Sequence, residues 1–252
     1  MPGSTGAVTL VLVHGGTVDS RMWDGVLPHL HAPALAVDLP GRRYRPHDLS
    51  RVTRSTWVEA VRDDIIANDL EGVVLVGHSS GGYVIPGVAA LLPERVRHLV
   101  FVAATVPADT RKPVEYLKPK LKELAVGSED AVRQMARGKT LGGLRPGEPA
   151  IDTELEIVEN EGRMGLEAPG PLHEPFTWDG VPRQIPRTYI RCLLDRVIPP
   201  ELADQMIRNM GGARVVDIDA PHEVAIDRPE DLAAVLNDIA RRSENETFQQ
   251  GA

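Results

Sequence analysis

The sequence predicts an α/β fold: a mostly parallel central sheet with helices on both faces, and a small helical lid inserted before the last two strands. Three observations carry this. Valine-rich apolar runs, each short enough for a buried strand, recur along the chain. Stretches with apolar residues at helical spacing separate them, and such alternation demands a parallel sheet covered on both sides. A glycine-rich turn, Gly77-His78-Ser79-Ser80-Gly81-Gly82, joins one of these runs to a helix-compatible stretch.

The elements follow in order. Residues 7–13 read as a strand that ends at His14-Gly15-Gly16, and residues 22–30 as a short helix. Residues 34–41 form a second strand closed by Pro40-Gly41. Ser55 is the expected N-cap of a helix over 56–70, with Val58, Val61, Ile65 and Ile66 on one face. The central strand at 72–76 leads into the glycine turn and a helix over 83–92, and a further strand covers 98–104. From about 105 to 186 the pattern breaks into proline-rich, weakly periodic stretches near 113–125, 128–137 and 151–161, read as the lid. Strands at 187–194 and 213–219 flank a helix opened by Pro199 or Pro200. Pro229 starts a last helix with Leu232, Val235, Leu236 and Ile239 on one face, and residues 243–252 are expected to fray. With no repeat and no linker, residues 1–252 are expected to form a single domain.

Composition narrows the function. At 252 residues the chain can bury a large core, and its net charge of -8 argues against a nucleic-acid partner. No run approaches the roughly 18 apolar residues of a membrane span. Residues 1–6 lack the positive charge of a secretory leader, and a single cysteine, Cys192, excludes an internal disulfide framework. A cytoplasmic protein with no membrane partner is expected, and a homodimer is compatible. There is no Walker or dinucleotide glycine pattern, and His29-x-His31 lacks further clustered ligands, so neither cofactor nor metal is expected. Arg42-Arg43-x-Arg45 reads as a solvated loop that would meet an anionic group only if it bordered a pocket.

The chemistry centres on Ser79. A serine hydroxyl is a weak nucleophile at neutral pH and needs a base in contact and a group that orients the base. In an open α/β sheet, ligands bind beyond the carboxyl ends of the strands. Ser79, Asp195 and His222 each follow such an end, in the chain order Ser, Asp, His expected for this arrangement. His222 is then the base and Asp195 its orienting acid, with Asp109, Asp217 and Asp219 as rivals. A tetrahedral intermediate needs backbone donors for its oxyanion. The amide of Ser80 supplies one; the first-strand loop supplies the other, assigned to Gly16 with Thr17 as the neighbouring alternative. His14 and His78 are read as packed, hydrogen-bonded residues.

With these residues in place, the chain resembles the α/β-hydrolase superfamily over nearly its whole length. The carrying residues are His14-Gly15-Gly16, Trp23, the glycine turn, Asp195-Arg196-Val197-Ile198-Pro199 and Pro221-His222. Within the superfamily it looks like the small esterase and hydroxynitrile-lyase-like branch. The resemblance implies a cofactor-free enzyme with a mobile lid that acts on a small-molecule ester. The lyases of that branch keep a threonine directly after the first-loop histidine, where this chain has Gly15. Hydrolysis of a carboxylic ester, thioester or lactone through an acyl-serine is therefore the expected function. A lyase using the same three residues for acid–base work, helped by Lys112, Lys118 or Lys139, and a ligand-binding or signalling protein stay open. The residues that bind substrate are not legible.

Overall fold

A computed structural model describes residues 7–117 and 167–250, with side chains to 245. Its strands are β1 (Thr9–Val13), β2 (Ala34–Val37), β3 (Val73–His78), β4 (Val96–Val102), β5 (Arg187–Cys192) and β6 (Arg214–Ile218). They pair in parallel throughout, in the order β2-β1-β3-β4-β5-β6. Because the order reverses beside β1, the loops after β1 and β3 open onto one crevice, the usual ligand position in such sheets.

Alternating side chains sort the strands' residues into two cores. Val11, Val13, Val73, Leu75, Leu99 and Phe101 face one layer of helices: α1 (Arg54–Ala67), α2 (Ile85–Leu91) and, further along, the helix Pro200–Asn209. Leu10, Leu12, Val74, Val76, Val100 and Val102 face the other, built on the long helix Pro229–Gln250 through Leu232, Leu236 and Ile239. Two-sided burial explains why these strands read as continuous apolar runs, and each buried valine or leucine contributes about 1.5–3 kcal/mol.

Several elements depart from the sequence reading. Residues 22–30 do not form one helix. They form two 3-10 turns, Ser20–Trp23 and Leu27–His29, because Gly25 and Pro28, which lacks an amide proton, cannot sustain an α ladder. The cap of α1 is Thr53, not Ser55. Thr53 is extended (φ -118°, ψ 170°), its Oγ1 accepts the Thr56 amide at 3.0 Å, and its own amide donates to Thr56 Oγ1 at 3.3 Å. Val58, Val61 and Ile65 are buried as expected, but Ile66 is 49% exposed. The second strand stops at Val37, since the Leu39 amide turns to His14 Nε2 (3.1 Å) rather than to a strand. The last helix continues through 243–250 instead of fraying. Ser243 is buried against His98 Nδ1 at 3.4 Å, and Glu244 Oε1 accepts the Val8 amide at 3.4 Å.

Between β4 and β5 the described residues hold a 3-10 turn, Pro113–Tyr116, and a short helix, α3 (Pro169–His173). Residues 118–166, including the stretches 128–137 and 151–161 and most of the lid, lie outside the described residues. The helices after β5 are α4 (Pro200–Asn209), α5 (Val224–Asp227) and α6 (Pro229–Gln250). No described helix is long and apolar enough to cross a membrane.

Candidate active site

β3 ends at His78, and the chain turns at Ser79 with φ +49°, a left-handed conformation that a non-glycine residue adopts only when its surroundings impose it. The imposition is local. A Cβ on Gly77 would lie 2.6 Å from the Gly81 carbonyl oxygen, so the turn closes this tightly only with glycine at position 77. The Ser79 carbonyl accepts the Thr105 amide at 2.9 Å, which ties the turn to the end of β4. A 3-10 turn, Ser79–Tyr83, follows before α2; the predicted helix over 83–92 therefore starts two residues late.

The structure brings Ser79, His222 and Asp195 together. His222 Nε2 lies 3.0 Å from Ser79 Oγ, and His222 Nδ1 lies 2.7 Å from Asp195 Oδ2. With Nδ1–H donating to the carboxylate, Nε2 is left to accept the serine proton. The other carboxylate oxygen, Asp195 Oδ1, accepts the amides of Val197 (2.7 Å) and Ile198 (2.8 Å), which fixes the side chain. The rival acids stand elsewhere: Asp217 pairs with Arg191 at 2.8 Å, and Asp109 accepts the Trp178 amide at 3.2 Å. Burial alone would lower the His222 pKa, but the bonded Asp195 carboxylate outweighs it, and the imidazole binds its proton more tightly than usual.

Two further histidines hold the frame. His78 Nε2–H donates to the His222 carbonyl at 2.9 Å, and burial, followed by the nearby His222, lowers its pKa to about 3. His14 Nδ1–H donates to the Gly15 carbonyl at 2.7 Å while Nε2 accepts from Leu39, so it bridges the loops after β1 and β2. Burial, then the Arg42 charge, lowers its pKa to about 3. Both rings are neutral struts.

Around the serine, the loop after β1 places Gly16 beside Ser80: a Cβ on Gly16 would lie 3.6 Å from Ser80 Oγ. Thr17, the alternative to Gly16, has φ +61°, and its amide donates to Glu167 Oε2 at 2.7 Å. That donor is already engaged.

Three buried residues here were not anticipated. Arg42, expected on a solvated loop, is 2% exposed and forms an ion pair with Glu167 at 2.8 Å. The remainder of that cluster does face solvent: Arg43 is exposed, and Arg45 is half-buried in a pair with Asp64. No sequence signal marks Glu167, whose partners lie 125 and 150 positions away. Glu223, next in sequence to His222, is also buried, and its pKa is raised, chiefly by burial. Among the described residues, His78, His222 and Glu223 alone bring three metal-ligating atoms within 4.8 Å of one another. The His222 nitrogens and His78 Nε2 are already spent on Ser79, Asp195 and the His222 carbonyl, so a metal there would dismantle the chain that ends at Ser79. His29 and His31 are both exposed. Of the lysines considered for a lyase, Lys112 is exposed, and Lys118 and Lys139 lie outside the described residues. Cys192 is buried, and burial raises its pKa, leaving an inert thiol.

The model of the alpha/beta hydrolase family matches residues 10–235. A pyrethroid hydrolase of Sphingobium wenxiniae is 27% identical over 251 residues, covering 92% of this chain and 87% of that protein. Methylesterase 17 of Arabidopsis thaliana is 26% identical over 249 residues, covering 90% of this chain and 89% of its own. Lipase LipV of Mycobacterium tuberculosis is 27% identical over 251 residues, with 93% and 94% covered. Among solved structures, a pyrethroid hydrolase superposes with a TM-score of 0.76 at 25% identity, covering 93% of this chain and 98% of that one.

Proposed function

The chain belongs to the alpha/beta hydrolase family, and we propose that it is a serine hydrolase cleaving a carboxylic ester, thioester or lactone of a small molecule through an acyl-Ser79 intermediate. The observation that carries this reading is the buried relay from Ser79 Oγ through His222 to Asp195, with links of 3.0 and 2.7 Å, ending on a serine held at φ +49°. The relatives named esterases, hydrolases and a lipase support the reaction class.

Ser79 Oγ attacks the substrate carbonyl carbon as its proton passes to His222 Nε2. The carbonyl π electrons move to oxygen, and the oxyanion is received by the amides of Gly16 and Ser80. Asp195 stabilises the imidazolium through Nδ1–H. Collapse of the intermediate expels the alcohol or thiol, which takes the proton from Nε2. A water then gives a proton to His222 and attacks the acyl carbon. The second collapse releases the acid, and Ser79 recovers its proton. No step needs a cofactor or metal.

A fluorophosphonate probe is expected to label the wild-type protein at Ser79. Ser79→Ala should lose the label and at least about 10³-fold in p-nitrophenyl ester turnover, since removing the nucleophile in such a relay costs up to about 10⁶-fold. Turnover at the wild-type rate in Ser79→Ala overturns the reading.

A further inference from the structure

The Arg42–Glu167 pair is buried against the loop after β1, at Gly16 and Thr17, and the mechanism above does not use it. Both side chains are nearly inaccessible, at 1% and 4% exposure. Among the described residues, every polar contact of the carboxylate is with a donor. Oε1 accepts from Arg42 at 2.8 Å and from the Ala168 amide at 3.2 Å, and Oε2 accepts the Thr17 amide at 2.7 Å. Arg42 in turn lies 5.5 Å from the Trp57 ring centroid, packed over a fully buried aromatic.

The same oxygen explains Gly16. A Cβ at position 16 would sit 2.6 Å from Glu167 Oε2, so the second glycine of His14-Gly15-Gly16 is the space the carboxylate occupies. One residue on, Thr17 has φ +61°, a conformation its branched side chain disfavours. An external tether on its amide offsets that strain. We propose that Glu167 is a positioning residue for the oxyanion loop. It pins the Thr17 amide so that the preceding amide, Gly16, faces Ser79, and Arg42 neutralises its charge.

Both halves of the arrangement are needed. An unpaired carboxylate beside a developing oxyanion would repel it in a site with little water to screen the charge. Paired with Arg42, Glu167 keeps its acceptor oxygens and loses most of its field. The arrangement therefore supplies rigidity to the loop without opposing the negative charge that the loop must stabilise. The proposal rests on the hydrolase reading, because only an oxyanion gives the orientation of Gly16 a catalytic consequence.

The test separates a positioning role from a merely structural one. Replacing a buried ion pair by apolar side chains is often neutral or stabilising. The double variant Arg42→Met/Glu167→Leu should therefore still fold, its thermal midpoint lowered only by the Thr17 and Ala168 amides it releases. Its kcat on a p-nitrophenyl ester is expected to fall about 10- to 100-fold with KM little changed, the cost of a misplaced oxyanion donor. Affinity for an alkyl trifluoromethyl ketone, which adds to the serine as an anionic hemiketal, should fall by a similar factor. Wild-type kcat and wild-type ketone affinity in the double variant overturn the proposal.

If that variant does not fold, Glu167→Gln carries the test. Its single acceptor oxygen can serve Thr17 or Arg42 but not both, so a smaller loss of kcat and ketone affinity is expected. No loss of either overturns the proposal. If the ketone binds wild type and Ser79→Ala equally, the hydrolase reading fails and takes the proposal with it. Ketone binding that depends on Ser79 but not on Glu167 or Arg42 defeats the proposal alone.

Discussion

The two loops that meet at Ser79 are held in unlike ways. The turn after β3 is shaped by its own backbone: Ser79 at φ +49° is enforced by Gly77 closing on the Gly81 carbonyl. The loop after β1 also holds a strained residue, Thr17 at φ +61°, but what restrains it is the Glu167 carboxylate, 150 positions away. Close approach of backbone to backbone leaves a glycine in the sequence. Tethering by a remote side chain leaves at most a glycine, Gly16, that does not say which residue fills its space. Adjacent halves of one site can therefore differ sharply in how much of them a sequence declares.

The largest expected effect is a contrast between glycines. In Gly77→Ala the new Cβ meets a carbonyl oxygen at 2.6 Å, and only a shift of the Ser79 turn relieves the clash. Activity should fall by more than about 100-fold, the consequence of an ångström-scale displacement of a reacting group. In Gly16→Ala the Cβ meets the end of a side chain at the same 2.6 Å. Glu167 can swing away at the expense of the Thr17 contact, so the loss should stay near tenfold. Steady-state kinetics and thermal melts of the two variants check this. Equal losses would erase the distinction between the loops.

That distinction also decides what the sequence could reveal. The parallel sheet was legible because Val73–His78 and its neighbours are buried on both faces and so read as continuous apolar runs. Ser79, His222 and Asp195 were legible because each lies within four residues after a strand end, and the sheet gathers such positions at one edge. Arg42 was visible only as one of three arginines. Its burial depends on a partner whose place in the fold no periodicity encodes. The N-cap of α1 was misplaced by two residues because Thr53, Ser55 and Thr56 are all competent caps, and the choice falls to backbone angles. The breakdown of residues 22–30 into two turns was written in Gly25 and Pro28, and there the apolar spacing outweighed the punctuation.

A smaller effect compares the loops through their histidines. His14 braces the first loop and His78 the second, and burial lowers both pKa values from 6.5 to about 3. A base whose folded pKa is depressed contributes stability above its unfolded pKa and loses it as pH falls. Between pH 6.5 and 3 the unfolded chain binds protons that the folded chain refuses, so stability should drop on acidification. Each ring adds a slope of up to about 1.4 kcal/mol per pH unit. Urea melts between pH 7 and 4 should show this dependence, and His14→Gln and His78→Gln should each remove a comparable share. A share lost in only one variant would mean that the two braces are not equivalent.

The smallest effect lies outside both loops and serves as their control. Thr53 Oγ1 accepts the Thr56 amide at 3.0 Å, while the neighbouring Arg54 amide is satisfied by Glu174 Oε2 at 3.0 Å. Thr53→Ala removes the first bond and leaves the second, so α1 should lose about 1 kcal/mol of stability, the ordinary value of such a cap. Ser55→Ala, at the position the sequence favoured, should change stability by less than about 0.5 kcal/mol. Because α1 packs on the sheet through Trp57, Val61 and Ile65 and donates nothing to Ser79, both variants should retain wild-type kcat well below their melting temperatures. A fall in kcat for Thr53→Ala under those conditions would mean that the site is sensitive to the global rigidity of this layer. The losses at Gly16 and Glu167 would then no longer report on the oxyanion loop alone.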